Sequence, residues 1–209
     1  MGRGKELVLI GFNHIARRGF EGLRVRDVAA EAGINNATLH YYFPTKEDLI
    51  KGVVDYMIRQ FGTSMASSDA RKTADAWEDI LADLEDARNR PRKALDQLVV
   101  YTELLLRSLR DPLIAKAFRK LDRSWRGVLT GVIRNGIKQG VFRPDLDPKT
   151  SATLIMLQIK GMGLQMFGET NREIGDEVFN QLVEQIKTGL TGELGTRRRR
   201  CAPAKQNRA

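Results

Sequence analysis

Residues 25–43 read VRDVAAEAGINNATLHYYF, and their pattern decides how the chain begins to fold. Val28, Ala29 and Ala32 fall on one face of a short helix. Gly33 then supplies the positive φ of a tight turn, and Ile34 drops an apolar plug into the angle between two helices. Asn35 is placed to cap the next helix, which buries Leu39 and Phe43 one turn apart. Its other face carries Asn36, Ala37, Thr38, His40 and Tyr41. Small and polar side chains at the start of a short second helix suit entry into the major groove, where they meet base edges. The pattern is that of a helix-turn-helix. Short helix pairs joined through Ala-Gly also occur in proteins that bind no DNA.

Outward from this core the chain reads as helical throughout, with no alternating run of strand length. A first helix, about Arg3 to Arg18, shows Val8, Gly11, Phe12 and Ile15 on one side. The pair itself spans about Val25–Ala32 and Asn36–Tyr42. A fourth helix opens near Lys46, with Thr45 and Asp48 as an approximate capping box. Residues 63–72 read as a polar connector. Further helices are predicted at about Ala74–Ala87, Arg92–Arg110, Pro112–Gln139, Lys149–Phe167 and Ile174–Leu190. The one over Arg92–Arg110 is apolar nearly all round, which predicts a buried, central position. Asp111-Pro112 and Asp147-Pro148 each pair an N-cap acceptor with a first-turn proline. Gly19, Gly140, Gly168 and Gly189 read as helix stops. The expected fold is all-α, with about nine helices: a helix-turn-helix DNA-binding domain over 1–48, a helical ligand-binding and dimerisation domain over 49–194, and a disordered basic tail over 195–209.

The longer stretch GFEGLRVRDVAAEAGINNATLHYYFPTKEDL, Gly19 to Leu49, resembles the TetR family of transcriptional repressors. The resemblance rests on Gly19-Phe20, Val28-Ala29, Ala32-Gly33-Ile34, Thr38-Leu39, two ring residues before Phe43, and Pro44-Thr45-Lys46-Glu47 followed by Leu49. Two departures stand out. Leu23 and Arg24 occupy the place of a Thr or Ser cap, which leaves the second helix weakly capped by about 1 kcal/mol. Gly11 stands where the family favours Ala, which costs helix stability and permits close packing.

The resemblance implies roles residue by residue. Asn36, Ala37 and Thr38 would read bases, and Arg26 would reach a base edge or a phosphate. Asn35 would cap its helix or touch a base. His40, Tyr41 and Tyr42 would contact phosphates and thymine methyls, with Tyr42 also packing inward. Lys46 would clamp a phosphate at a helix N-terminus, whose partial positive charge adds to its own. The resemblance also implies a homodimer, because one short recognition helix reads too few base pairs and a two-fold pair reads two half-sites. Met156, Ile159, Gly163 and Met166 form one expected strip of the dimer surface, and Val178, Leu182 and Ile186 another. A small, largely apolar effector is expected among the fifth to eighth helices, lined by Trp77, Leu81, Tyr101, Leu105, Phe118, Trp125, Gln158 and Met162. Glu103, Arg107 and Lys160 are charged residues inside apolar helices and so candidate polar anchors. Effector entry is expected to shift the sixth and seventh helices against the fourth and so change the spacing of the two recognition helices.

Charge argues less than it first suggests. The net charge is +9, but the last thirteen residues hold six basic residues and no acid. Without them 29 basic side chains face 26 acidic ones, and residues 1–56 carry eight basic and seven acidic. The Arg197–Arg200 run adds at most non-specific phosphate affinity. No stretch approaches the roughly 18 apolar residues of a membrane span. The N-terminal MGRGKELVLIGFNHIARRGF lacks a cleavage site and is broken by His14, Arg17 and Arg18, which favours a cytoplasmic protein. A lone Cys201 forms no internal disulfide, and neither a metal cluster nor a cofactor loop is evident. An enzyme is the poorer reading, since His14 and His40 both lie in the DNA-binding part and no paired-carboxylate site is evident. The remaining rival is a helical small-molecule or lipid-binding protein with a vestigial helix-turn-helix.

Overall fold

The computed structural model describes residues 2–70, 75–165 and 175–192, and nine helices with no strand make up this part of the chain. They are α1 (Arg3–Arg18), α2 (Val25–Glu31), α3 (Asn36–Tyr42), α4 (Lys46–Ala70), α5 (Ala76–Lys93), α6 (Leu95–Ser108), α7 (Pro112–Gln139), α8 (Pro148–Gln165) and α9 (Asp176–Thr191). The basic tail, Gly168 and the expected start of the last helix at Ile174 lie outside the described residues.

Local chemistry sets the helix ends. Asp111 Oδ1 accepts the amides of Leu113 and Ile114, and Asp147 Oδ1 accepts that of Thr150. In both, an acid cap meets a proline whose missing N–H costs the first turn nothing. Gly140 closes α7 at φ 72°, in the left-handed region that only glycine enters freely. Three expected boundaries move. α4 runs on through residues 63–70, because Ala, Met and Ser supply no breaker strong enough to stop it. α5 continues across Pro91 to Lys93, and the break falls at Ala94 (φ −151°, ψ 50°). Proline deletes one helical hydrogen bond, which near the end of a helix ends it a turn later. Gly189 lies inside α9, and Gly192 at φ 78° is the stop.

Two apolar clusters fill the molecule. The first joins Leu7, Phe12 and Ile15 of α1 with Phe20, Leu23, Val28, Leu39, Leu49 and Val53, and adds Val100 and Leu104 of α6 and Ile114, Phe118 and Leu121 of α7. It therefore continues without a break across residue 48. The second gathers α5, the C-terminal half of α7, α8 and α9 around Trp77, Ile80, Leu129, Ile133, Phe142 and Met156. α6 is less buried than its composition suggests: Leu98, Val100 and Leu104 face inward, while Leu106 is 62% exposed. An apolar residue on a two-sided helix finds no partner on its outer side. Arg88 ties α5 to α9 by pairing with Asp176 and by lying over the Phe179 ring.

Candidate nucleic-acid interface

The interface is built on a rigid base. Val28, Ala29 and Leu39 are wholly buried and fix α2 against α3. Between them Gly33 takes φ 65°, and the Ile34 amide donates to the Ala29 carbonyl at 3.0 Å. Ile34 packs onto the first cluster, as the apolar plug of the turn should. The buried His14 of α1 holds α2 from behind, its Nε2 2.9 Å from Glu31 Oε2. The second helix is uncapped: Arg24 makes no side-chain bond to it. Gly11 has more room than its packing role implied. A Cβ there would stand 3.4 Å from Val53 and 3.5 Å from Leu49, ordinary contacts that need no glycine.

On this base α3 turns a polar and aromatic face outward. Asn35 Oδ1 accepts the Thr38 amide at 2.8 Å, so its carbonyl is engaged in the cap. Asn36, Ala37 and His40 are exposed and Thr38 is half-buried. Tyr41 is 83% exposed and Tyr42 41%, their rings edge to face at 5.3 Å. Tyr42 also leans toward α1, where a Cβ on Gly4 would meet it at 3.8 Å. His40 Nδ1 lies 3.1 Å from the Pro44 carbonyl oxygen, a bond that spacing alone does not reveal. Donation from Nδ1 fixes the ring and leaves Nε2 on the outer side.

The flanks carry cations. Arg26 is exposed at the start of α2, its Nε 3.5 Å from Asp27 Oδ1. Lys46 is the half-buried first residue of α4. Thr45 Oγ1 accepts the Asp48 amide at 3.1 Å and donates to Asp48 Oδ2 at 2.7 Å, completing the capping box ahead of it. Hydrogen bonds from Lys51 and Thr45 hold the Asp48 carboxyl below its usual range, and Asp48 in turn raises Lys51. Lys46 thus opens α4 at the positive end of the helix dipole, with Glu47 and Asp48 in the same first turn.

The residues expected around an effector fall into two groups. Tyr101, Leu105 and Phe118 pack with the first cluster, the rings of Tyr101 and Phe118 5.2 Å apart. Trp77, Leu81, Trp125 and Met162 pack with the second, and Gln158 is half-buried on α8. Burial pushes the Tyr101 hydroxyl up to about 12, the Asp122 carboxylate adding to the rise and Arg90 opposing it. Of the three charged anchors only Lys160 stands near this region, bound to Asp122. Glu103 and Arg107 instead face the turn after α1, at Gly19 and Phe20.

The expected dimer strips need correction. Met156, Ile159 and Ile186 are buried inside the chain at 3%, 9% and 5% exposure, and Gly163 packs against Leu98 of α6. Side chains already covered by their own core have no surface left to offer a partner. Leu182 is half-buried, Val178 is exposed, and Met166 lies outside the described residues. The outward stripe of α8 is Leu154, Leu157, Gly161 and Leu164. An open groove along α9 is lined by Arg143, Gln181, Glu184, Gln185, Thr188 and Gly189.

Comparison with known proteins places this architecture. The profile of bacterial regulatory proteins of the tetR family matches residues 11–53, and that of the BetI-type transcriptional repressor C-terminal region matches residues 74–190. The HTH-type transcriptional repressor KstR2 of Rhodococcus jostii is 27% identical over 151 residues, 70% of this chain and 71% of its own length. A TetR transcription regulator from Haloarcula marismortui superposes with a TM-score of 0.77 at 24% identity, over 90% of this chain and 97% of the other. A transcriptional regulator from Saccharomonospora viridis, solved in complex with choline, superposes with a TM-score of 0.76 at 27% identity, over 87% and 93%.

Proposed function

We propose, from the premise that this chain belongs to the TetR family of bacterial transcriptional regulators, that it binds palindromic operator DNA as a homodimer and is released by a small, largely apolar effector. The observation that carries the reading is the outward face of α3, where Tyr41 and Tyr42 stand exposed beside Asn36 and Ala37 on a buried, capped base. Large rings left in water on a short, well-anchored helix suit a partner surface. Asn36, Ala37 and Thr38 would read base edges, with Arg26, His40, Tyr41, Tyr42 and Lys46 on phosphates and thymine methyls. Asn35 serves as the cap. The DNA-reading part is residues 1–48, although its apolar core is shared with α4, α6 and α7, and the protein acts in the cytoplasm, where the chromosome is.

Dimerisation is assigned to α8 and α9. Leu154, Leu157, Gly161 and Leu164 recur on one face of α8, three of them more than half exposed, and Val178 is 64% exposed on α9. Pairing these stripes across a two-fold gives a four-helix bundle and withdraws the leucines from water. The effector would enter between the two groups of expected lining residues. The choline complex of the S. viridis regulator supports a small-molecule ligand in this fold. α7 packs along α4, and α6 touches both α1 and α4. Effector entry would therefore act on α3 through α1 as well as α4.

Selection of bound duplexes from a random pool tests the reading, with the wild type and a Tyr42→Ala, Lys46→Ala double variant in parallel. An enriched palindrome that the variant loses is the expected result. A folded dimer that enriches nothing at moderate salt would leave the small-molecule-binding protein as the better account.

A further inference from the structure

The outward face of α7 carries one sign of charge along most of its length. Lys116, Arg119, Lys120, Arg123, Arg134 and Lys138 are all exposed on it. At the turn of an α-helix they fall within about 100° of arc, and those three or four apart stand side by side. The row from Lys116 to Lys138 is about 33 Å long. The one acid of α7, Asp122, lies beside the row and is taken up by Lys160, whose Nζ donates to both its oxygens at 2.8 and 2.7 Å. Among the described residues no hydrogen bond or ion pair engages any of the cations in the row, although Asp147 acts on Arg134 through space. Like charges at these spacings weaken a helix, so the row costs stability and gains nothing inside the chain. Between its two clusters lie Gly127 and Gly131, where an added Cβ would meet nothing within 4 Å. Bare backbone at that point lets a partner come close.

The shape and chemistry of the row select its partner. Its exposed members between Lys116 and Lys138 are Lys, Arg, Ser, Gly and Asn alone. A bilayer would find no apolar side chain to take up there, since the exposed Leu113 stands before the first cation. A second copy of the same face would meet cation with cation across a two-fold. A narrow, straight, acid-free row fits a linear polyanion, and duplex DNA is the one that a transcriptional regulator meets. We propose that the outer face of α7 is a second binding surface for duplex DNA, separate from α3, that holds phosphates without reading sequence. The side chains along it are charge carriers on a rigid rod, and no Asn or Gln pair stands among them to read a base edge.

Fluorescence anisotropy of the full chain on a labelled duplex of mixed sequence tests this, read as the dependence of affinity on salt. Lys116→Gln, Lys120→Gln and Arg123→Gln together are expected to lower the log–log slope by about two to three, at about 0.9 for each lost phosphate contact. Lys93→Gln, Lys149→Gln and Lys187→Gln remove the same charge from exposed sites on α5, α8 and α9, and should lower it by less than about one. The Arg197–Arg200 run is common to every variant and cancels. Gly131→Glu sets an acid into the row at an open helical site where glycine is the poorer helix former. It should weaken duplex binding at least about threefold while the melting temperature holds or rises, which separates lost contact from lost fold. Equal slopes for the two triple variants, or a Gly131→Glu chain that binds as the wild type does, would overturn the surface. So would a stripe variant that loses binding only to vesicles of phosphatidylglycerol and phosphatidylcholine in roughly equal parts, which would assign the face to lipid. Capture of a second labelled duplex would mark a separate DNA molecule as the occupant. A gain confined to one duplex lengthened by a helical turn at each end would mark its own flanks, and either result supports the surface. The α7 effect is expected to persist in the Tyr42→Ala, Lys46→Ala background, so failure of the α3 reading and failure of this one are told apart.

Discussion

Arg107 lays its guanidinium over the ring of Phe20, 5.0 Å from the centroid, and so fastens α6 to the turn that follows α1. The Arg107 Nε is buried there without a partner, so part of this burial is a cost. Arg107→Ala is expected to lower stability by about 1 kcal/mol through lost stacking and stem contacts. Arg107→Met, which keeps the stem and removes the unpaired donor, should cost clearly less. Thermal melts of the two variants side by side check this, and equal losses would count against it.

The two glycines that bring α1 against α4 should respond in opposite ways to the same added methyl. At Gly11 a Cβ meets only ordinary contacts, so Gly11→Ala should raise stability by about 0.5–1 kcal/mol through helix propensity and a less flexible unfolded chain. At Gly52 it would stand 2.8 Å from Val8 Cγ2 and 3.3 Å from Phe43, so Gly52→Ala should destabilise by about 1–3 kcal/mol. Urea midpoints of the single variants decide both.

The missing cap of α2 is a further opening. Arg24 already holds the extended backbone of a cap, φ −117° and ψ 128°, and lacks only an acceptor. Arg24→Ser or Arg24→Asp should stabilise by about 0.5–1 kcal/mol. Asn35→Ala removes the working cap of α3 and should lose a similar amount, with slower-exchanging amides of that turn becoming faster. Hydrogen exchange of the Thr38 amide reports it directly.

Contacts to phosphate and to bases separate by salt. Lys46→Ala should weaken operator binding alike for all sequences and reduce the salt slope by about one. Asn36→Ala or Ala37→Val should change which operators are preferred and leave that slope alone. Binding curves at several salt concentrations on matched and mutated operators distinguish the two classes. A Lys46→Ala variant with an unchanged slope would remove that residue from the phosphate contacts.

Acid should release the box at the start of α4 late. The Asp48 carboxyl is held below its usual range by Lys51 and Thr45, so its bonds are fully present above the ordinary carboxylate value. They are lost as pH falls through the lowered one. A carboxyl NMR titration should place Asp48 below a free aspartate, and Lys51→Met should raise it more than Thr45→Val does.

Local chemistry made the helix-turn-helix legible: a cap at Asn35, a left-handed turn at Gly33 and the Leu39–Phe43 repeat each act within a few residues. The faces of α8 were not legible. Leu154, Leu157 and Leu164 point to water while Ile155, Met156, Ile159 and Met162 point inward, and a helix apolar on every side carries no period that tells them apart. The places of Glu103 and Arg107 were hidden for a different reason. They depend on how α6 meets the end of α1, a contact between distant parts of the chain that no local pattern encodes. The extension of α4 past residue 62 leaves no mark in the sequence, because small polar residues read equally well as a loop or as a helix.

That extension sets the mechanical scale of the molecule. Twenty-five residues of uninterrupted helix make a rod of about 37 Å. A tilt of about 5° pivoted at its far end carries Lys46 sideways by about 3 Å. In a two-fold pair both rods swing, and the separation of the two reading heads changes by up to about twice that, against a helical repeat of roughly 34 Å. On the reading proposed above, small rearrangements among the C-terminal helices would be geared up before they reach the groove.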